Sequence, residues 1–276
     1  MDVPSPTVTL RAGSATVEIA PALGGRLASL AVDGLELLVG RDDNPLGWGC
    51  YPMVPFAGRV RQGVLTSGGG RHQLPVNLAP HAIHGYGFGA PWRLVDPTEH
   101  EPASAPGADR SCELELRIDG PLPYRAVAHQ RIVLLRDRLY MALALSSVEG
   151  AFPATIGWHP WFRRQLARGG AAELTFAARW RFERDDEGIP TGLLGERGDG
   201  PWDDCFTGLG PPPRLRWPGA LVLDVEHDCD HLVIYDETRH AVCVEAQSGP
   251  PDGVNFAPDI VEPGRPLARH LQLRWA

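Results

Sequence analysis

From Thr7 onward, apolar and polar positions alternate in short runs, Thr7–Arg11, Ala15–Ile19, Arg26–Val32 and Leu35–Val39, broken by Gly13-Ser14, Gly24-Gly25 and Asp33-Gly34. A period of two sends successive side chains to opposite faces of a strand, and Asp-Gly between two such runs marks a hairpin turn. Cys112–Ile118 puts Leu114, Leu116 and Ile118 on one face and Glu113, Glu115 and Arg117 on the other. Tyr124–Leu135 and Leu139–Ser147 are longer runs joined by Arg136-Asp137-Arg138, Phe152–Trp158 follows, and Ala172–Arg184 reads as a pair of strands. Leu221–Glu226, Leu232–Tyr235, Ala241–Gln247 and His270–Trp275 repeat the pattern, while Pro97–Arg110 and Gly188–Asp199 read as polar loops. No helical period lasts beyond a turn or two. Without βαβ alternation, the chain is expected to fold as an all-β, mostly antiparallel sandwich or barrel. No repeat or linker divides it, so a single domain over residues 1–276 is expected.

Composition narrows the function. A net charge of -8 argues against nucleic acid or an anionic membrane surface as partner. All 26 basic residues are Arg, so an imine formed on a lysine, including one with pyridoxal phosphate, is excluded. The five cysteines are scattered without a C-x-x-C pair and read as free thiols. Neither a secretory leader nor a run of transmembrane length is evident, so a cytoplasmic protein is expected.

Candidate chemistry sits in five stretches. In Gly157-Trp158-His159-Pro160-Trp161-Phe162 a histidine ends a strand among aromatic rings, whose faces suit the C–H face of a sugar ring. Strand alternation sets Trp158 opposite His159 and so favours Trp161 as the stacking wall. Arg59 and Arg61 share a face if that segment is extended, and guanidiniums there could fork onto hydroxyls or an anion. Glycines flanking His84 allow a sharp turn that presents its ring; His81-x-x-His84 without a third ligand is weak support for a metal. Trp202-Asp203-Asp204 offers an acidic pair that would otherwise be a capped turn, and His227-Asp228-Cys229-Asp230-His231 reads as a polar hairpin tip. Glu245 alternates with Cys243 and Gln247 on one face of an apolar strand, and burial there would raise its pKa into the range of a useful base.

Taken in order, the segments Pro52–Gly63 (PMVPFAGRVRQG), His81–Gly87 (HAIHGYG), Gly157–Phe162, Trp202–Phe206 and Val244–Asn255 (VEAQSGPPDGVN) resemble the aldose 1-epimerase, or galactose mutarotase-like, family. The resemblance implies a β-supersandwich and an isomerase that interconverts the anomers of an aldose. Carried over by motif, Glu245 matches the general base, His159 the general acid and His84 a second histidine that donates to the ring oxygen. Arg59 and Asp203 match positions that bind hydroxyls, Gln247 would orient Glu245, and Trp161 would stack on the sugar. Neither cofactor nor metal is implied, the partner is a small aldose, and a monomer or homodimer is expected. Gly58-Arg59 stands where better-known members read Asn-Arg, Tyr86 where they have Gly, and Trp161 where they have Tyr; these differences bear on sugar preference. A hexose-6-phosphate 1-epimerase using Arg59, Arg61, Arg163 and Arg164, a glycoside hydrolase using Asp203 and Glu245, and a non-catalytic carbohydrate-binding protein are the alternatives.

Overall fold

A computed structural model describes residues 7–95 and 110–276. The expected loop Pro97–Arg110 lies almost entirely outside the described residues. Elsewhere the chain is all-β and antiparallel, the layered β-supersandwich that the resemblance implies. Two large sheets of 11 and 8 strands form the layers. The first runs in space from Val8–Ala12 through Ala15–Ala20, Arg26–Val32, Cys50–Met53, Gly157–Arg163, Ala241–Gln247, His231–Tyr235, Asp203–Leu209 and Ala178–Arg184 to Pro190–Gly195, with Leu35–Glu36 paired to Arg26–Val32. The second follows the order Arg93–Leu94, Ser111–Ile118, Ala126–Leu134, Arg138–Ser147, Leu267–Trp275, Leu221–His227, Arg214–Trp217, Glu173–Thr175.

Alternation along the strands sorts side chains between two clusters. Trp158 and Phe162 join Val242, Val244 and Ala246 in the core between the sheets, together with Leu114, Leu139 and Leu223 of the second sheet. Burying an apolar side chain such as Phe162 contributes roughly 1.5–3 kcal/mol. The intervening residues, Trp161 and Cys243 with Tyr51 and Met53, pack in a smaller cluster on the outer face of the first sheet. Every residue of Ala241–Gln247 is buried, because loops cover that outer face. The site lies under that cover.

Two expectations change, and one expected pair of strands is divided between the sheets. Gly188–Asp199 contains the edge strand Pro190–Gly195, and Ala172–Arg184 supplies Glu173–Thr175 to one sheet and Ala178–Arg184 to the other. His227–His231 is not a hairpin tip: Leu221–His227 belongs to the second sheet and His231–Tyr235 to the first, so this segment crosses between layers. Helix is limited to the four-residue Gly253–Phe256 and two short 3-10 turns among the described residues. None of these is long and apolar enough to cross a membrane.

Candidate active site

Five neighbouring strands of the first sheet form the floor of a cavity of about 300 Å³. In spatial order they contribute Tyr51, then His159 and Trp161, then Glu245 and Gln247, then Val233 and Tyr235, then Asp203. Register sets the contacts: Gly157 pairs with Gln247 and Trp161 with Cys243, which brings His159 opposite Glu245. Such close pairing requires Gly157, whose added Cβ would lie 2.3 Å from the Ala246 carbonyl oxygen. Over this floor comes a two-stranded ribbon, Arg59–Val60 against Ala82–Ile83, which delivers Arg59 and the following His84. His84 takes a left-handed φ of 57° and Gly85 one of 70°. A Cβ on Gly85 would meet the Val54 carbonyl oxygen at 1.9 Å, so only glycine lets the chain turn here.

Glu245 and His159 face each other across 3.2 Å, from Oε1 to Nε2, with side chains 4% and 6% exposed. The other carboxylate oxygen, Oε2, accepts a hydrogen bond from the Gln247 amide at 2.9 Å. Oε1 is therefore the oxygen left to exchange a proton. Burial pushes the Glu245 carboxyl well above its ordinary value; the Asp203 charge adds to this, while the Gln247 hydrogen bond and Arg59 oppose it. Burial likewise draws His159 down to about 3, with a contact to its own backbone opposing and the Arg26 charge assisting. A carboxyl raised and an imidazole lowered at hydrogen-bond distance share one proton over a wide pH range, and they titrate as a pair.

His84 completes the group, its ring 5.0 Å from that of His159 and nearly perpendicular, at 89°. The Gly58 backbone N–H donates to His84 Nδ1 at 3.3 Å, and the His84 backbone N–H donates to the Gly58 carbonyl at 3.0 Å. Burial, then the neighbouring His159 and Arg59, hold the ring well below the ordinary histidine pKa, hence neutral. With Nδ1 accepting, the proton of a neutral ring must sit on Nε2, which makes His84 a hydrogen-bond donor. The ligand-type atoms of His84, His159 and Glu245 lie within 4.8 Å of one another, close enough for a metal ion. Ligation through His84 Nε2 would move its proton to Nδ1, against the Gly58 N–H. The backbone thus favours hydrogen-bond donation over coordination.

Around the trio, Trp161 stacks on His159 with centroids 5.2 Å apart and planes at 5°, and it meets Tyr235 edge-on. Trp158 is fully buried on the opposite side, its indole N–H 3.3 Å from the Gln130 side-chain oxygen. Asp203 lies on a strand rather than at a turn, paired with Arg59 at 3.5 Å and Arg184 at 3.1 Å. Arg61 does not share its face: it turns into a 3-10 segment and bonds Asp185 at 2.5 Å and also Glu187. Arg163 and Arg164 donate to backbone carbonyls of Leu38, Thr238, Asp236 and Ala241. Tyr51, Tyr235, Asn44 and Glu237 also line the cavity and were not anticipated. Tyr51 had a local signal, since it alternates with Met53 on the strand that leads into Pro52–Gly63. A larger cleft of about 370 Å³, lined by Phe56, Tyr86, Leu116 and Ile118 among others, has neither carboxylate nor imidazole among the described residues of its wall.

The family model for aldose 1-epimerase matches residues 6–208. The chain belongs to the aldose 1-epimerase family. A curated relative, the Escherichia coli K12 protein YphB, itself uncharacterized, is 31% identical over 117 residues, 41% of this chain. That match spans only about a third, 36%, of the relative's length. Solved structures extend the likeness across the whole epimerase fold. A galactose mutarotase-like protein from Clostridium acetobutylicum superposes with a TM-score of 0.86 at 14% identity, covering 100% of this chain and 97% of that one. An aldose epimerase homologue from C. elegans gives 0.81 at 17%, with 99% of each chain covered. The galactose 1-epimerase of Lactobacillus acidophilus gives 0.75 at 19%, covering 98% and 94%. At these identities the likeness concerns the fold.

Proposed function

We propose that this epimerase-family protein interconverts the α and β anomers of a free aldose, with Glu245 as base, His159 as acid and His84 as a fixed donor at the ring oxygen. The observation that carries this reading is the 3.2 Å contact between Glu245 and His159 in the wall of a small cavity. In a cyclic hemiacetal the hydroxyl that loses a proton and the ring oxygen that gains one hang on the same carbon. Acid and base must then be neighbours, whereas a glycosidase holds its two carboxyl groups about 5–9.5 Å apart across the bond. Asp203 is already committed to two arginines, which makes it a poor acid and a better anchor for hydroxyls.

The proton count closes. Glu245 Oε1 takes the proton of the anomeric hydroxyl, the freed electron pair forms the C1 carbonyl, the C1–O5 bond breaks, and His159 Nε2 gives its proton to O5. The pair thereby passes from carboxylate with imidazolium to carboxyl with neutral imidazole, the second being the arrangement that burial favours. Rotation about C1–C2 exposes the other carbonyl face, and reclosure returns both protons. His84 Nε2–H steadies charge on O5 as the ring opens. Trp161 supplies a flat apolar wall, and Arg59 with Asp203 reads hydroxyls.

A free sugar is favoured over a sugar phosphate because the four arginines that would bind phosphate are occupied. Arg61 holds Asp185 and Glu187, Arg163 and Arg164 hold backbone carbonyls, and Arg59 faces Asp203. Polarimetry of freshly dissolved α-glucose, α-galactose and glucose 6-phosphate tests this reading. Acceleration over buffer for a free aldose is expected; no acceleration with any common aldose, or a strong preference for the phosphate, would overturn it.

A further inference from the structure

Behind the cavity sits a buried positive charge whose hydrogen-bond partners, among the described residues, are all backbone carbonyls. Arg26 is 1% exposed. Its Nε donates to Leu23 O at 2.7 Å, Nη1 to Pro45 O at 2.9 Å and Trp48 O at 3.0 Å, and Nη2 to Phe88 O at 2.8 Å. All four acceptors are neutral backbone carbonyls, and among the described residues no carboxylate forms an ion pair with it. The guanidinium lies over the Trp48 ring at 4.1 Å and the Tyr51 ring at 5.0 Å. Withdrawing a cation from water without an anion is costly, so its placement calls for a role.

The segments it grips are those that wall the site. Pro45 flanks Leu46, a cavity residue that accepts the Tyr51 hydroxyl at 3.1 Å, and Phe88 lies on the loop that carries His84. Gly24 and Gly25 make the grip possible. A Cβ on Gly24 would lie 2.0 Å from Phe88 O, and one on Gly25 2.9 Å from the Trp92 indole. Gly24-Gly25-Arg26, a simple turn by sequence, is thus a clamp on the His84 loop. On its other side the Tyr51 ring touches His159 at 4.9 Å and His84 at 5.9 Å. The guanidinium carbon therefore stands no more than about 10 Å from the His159 ring, with one aromatic ring between.

We propose that Arg26 is a positioning residue for the Glu245–His159 pair: it fixes Tyr51 and the His84 loop against His159, and its cation, one aromatic ring away, opposes a second positive charge on the imidazole. This rests on the acid–base reading of the site. The other titratable or charged groups facing the pair are His84, Tyr51, Cys205, Cys243, Asp203 and Arg59. Arg59, 3.5 Å from Asp203, is the cation that acts on Glu245, whereas Arg26 is the cation that acts on His159. Burial remains the main cause of the low His159 value, and the Arg26 charge acts in the same direction.

The test compares Arg26→Met and Arg26→Lys in the full chain, with folding checked by circular dichroism and the pH profile of kcat/KM followed by polarimetry. Loss of the cation should move the acidic limb of the profile upward by on the order of one pH unit, and lower kcat with little change in KM. Arg26→Lys, which keeps the charge but loses the fork, should leave that limb in place while lowering kcat. A folded Arg26→Met with a wild-type acidic limb, or an Arg26→Lys whose acidic limb moves by a unit, overturns the proposal. Should Arg26→Met fail to fold, Arg26→Lys decides by rate: a folded Arg26→Lys protein with wild-type kcat overturns the proposal. A wild-type protein without mutarotase activity would instead contradict the acid–base reading itself.

Discussion

With the Glu245 carboxyl raised and the His159 imidazole lowered by burial, the proposed pair should hold a single proton, and this governs the expected response to pH. Burial lowers the imidazole to about 3 and raises the carboxyl well above its ordinary range. Below both transitions the pair carries two protons and has lost its base; above both it carries none and has lost its acid. Between them kcat/KM should be level, and the acidic limb should fall well below the ordinary histidine value of about 6.5. An acidic limb at that value would mean that His159 is solvated when it works. His84 tests the tautomer argument: His84→Phe removes the Nε2 donor and should lower kcat about a hundredfold or more while the fold persists, as removing one oxyanion donor does. At this scale much was readable in the sequence, because a carboxylate and an amide on one face of an apolar strand, and a histidine between glycines and aromatics, are unusual. The tautomer of His84 was not, since it depends on the Gly58 N–H approaching from a different segment. The face of each indole followed from period-two alternation, which places Trp158 in the core and Trp161 against His159.

Strands and loops hold these groups in register, and two glycines test how tightly. Gly157→Ala would push a methyl to 2.3 Å from Ala246 O between the two strands that carry the proton pair. Overpacking of this kind costs about 1–3 kcal/mol, which thermal denaturation would register as a clearly lower Tm. Gly85→Ala meets backbone at 1.9 Å with a φ of 70° and should displace His84, reducing kcat more than it reduces Tm. An unchanged rate in a folded Gly85→Ala protein would contradict the assigned role of that turn. Most strands were legible from alternation because one face of each meets the core. Pro190–Gly195 was missed since Leu193 and Leu194 are adjacent and both exposed, at 62% and 46%, as an edge strand with no buried face permits. The crossing at His227–His231 was equally hidden, because which sheet a strand joins is decided by distant partners rather than by its own sequence.

Across the whole molecule, two sheets exist to bury one core, and the outer face of the larger sheet is then free to carry chemistry. Family membership and fold agree with that division, and the sugar itself is where this chain must be interrogated. Its cavity offers charge in compensated form, Arg59 against Asp203, under a net charge of -8. Glucose 6-phosphate should therefore be turned over at least tenfold less efficiently than a free aldose of matching stereochemistry, compared as kcat/KM. The central claim is that Glu245 and His159 together open and close a hemiacetal, and the most direct measurement follows the optical rotation of α-glucose or α-galactose with wild-type protein and with Glu245→Gln. An acceleration that the variant loses by about a hundred- to ten-thousand-fold, with its fold and sugar affinity retained, is the predicted result; a folded Glu245→Gln protein that equilibrates the anomers as fast as wild type would contradict it.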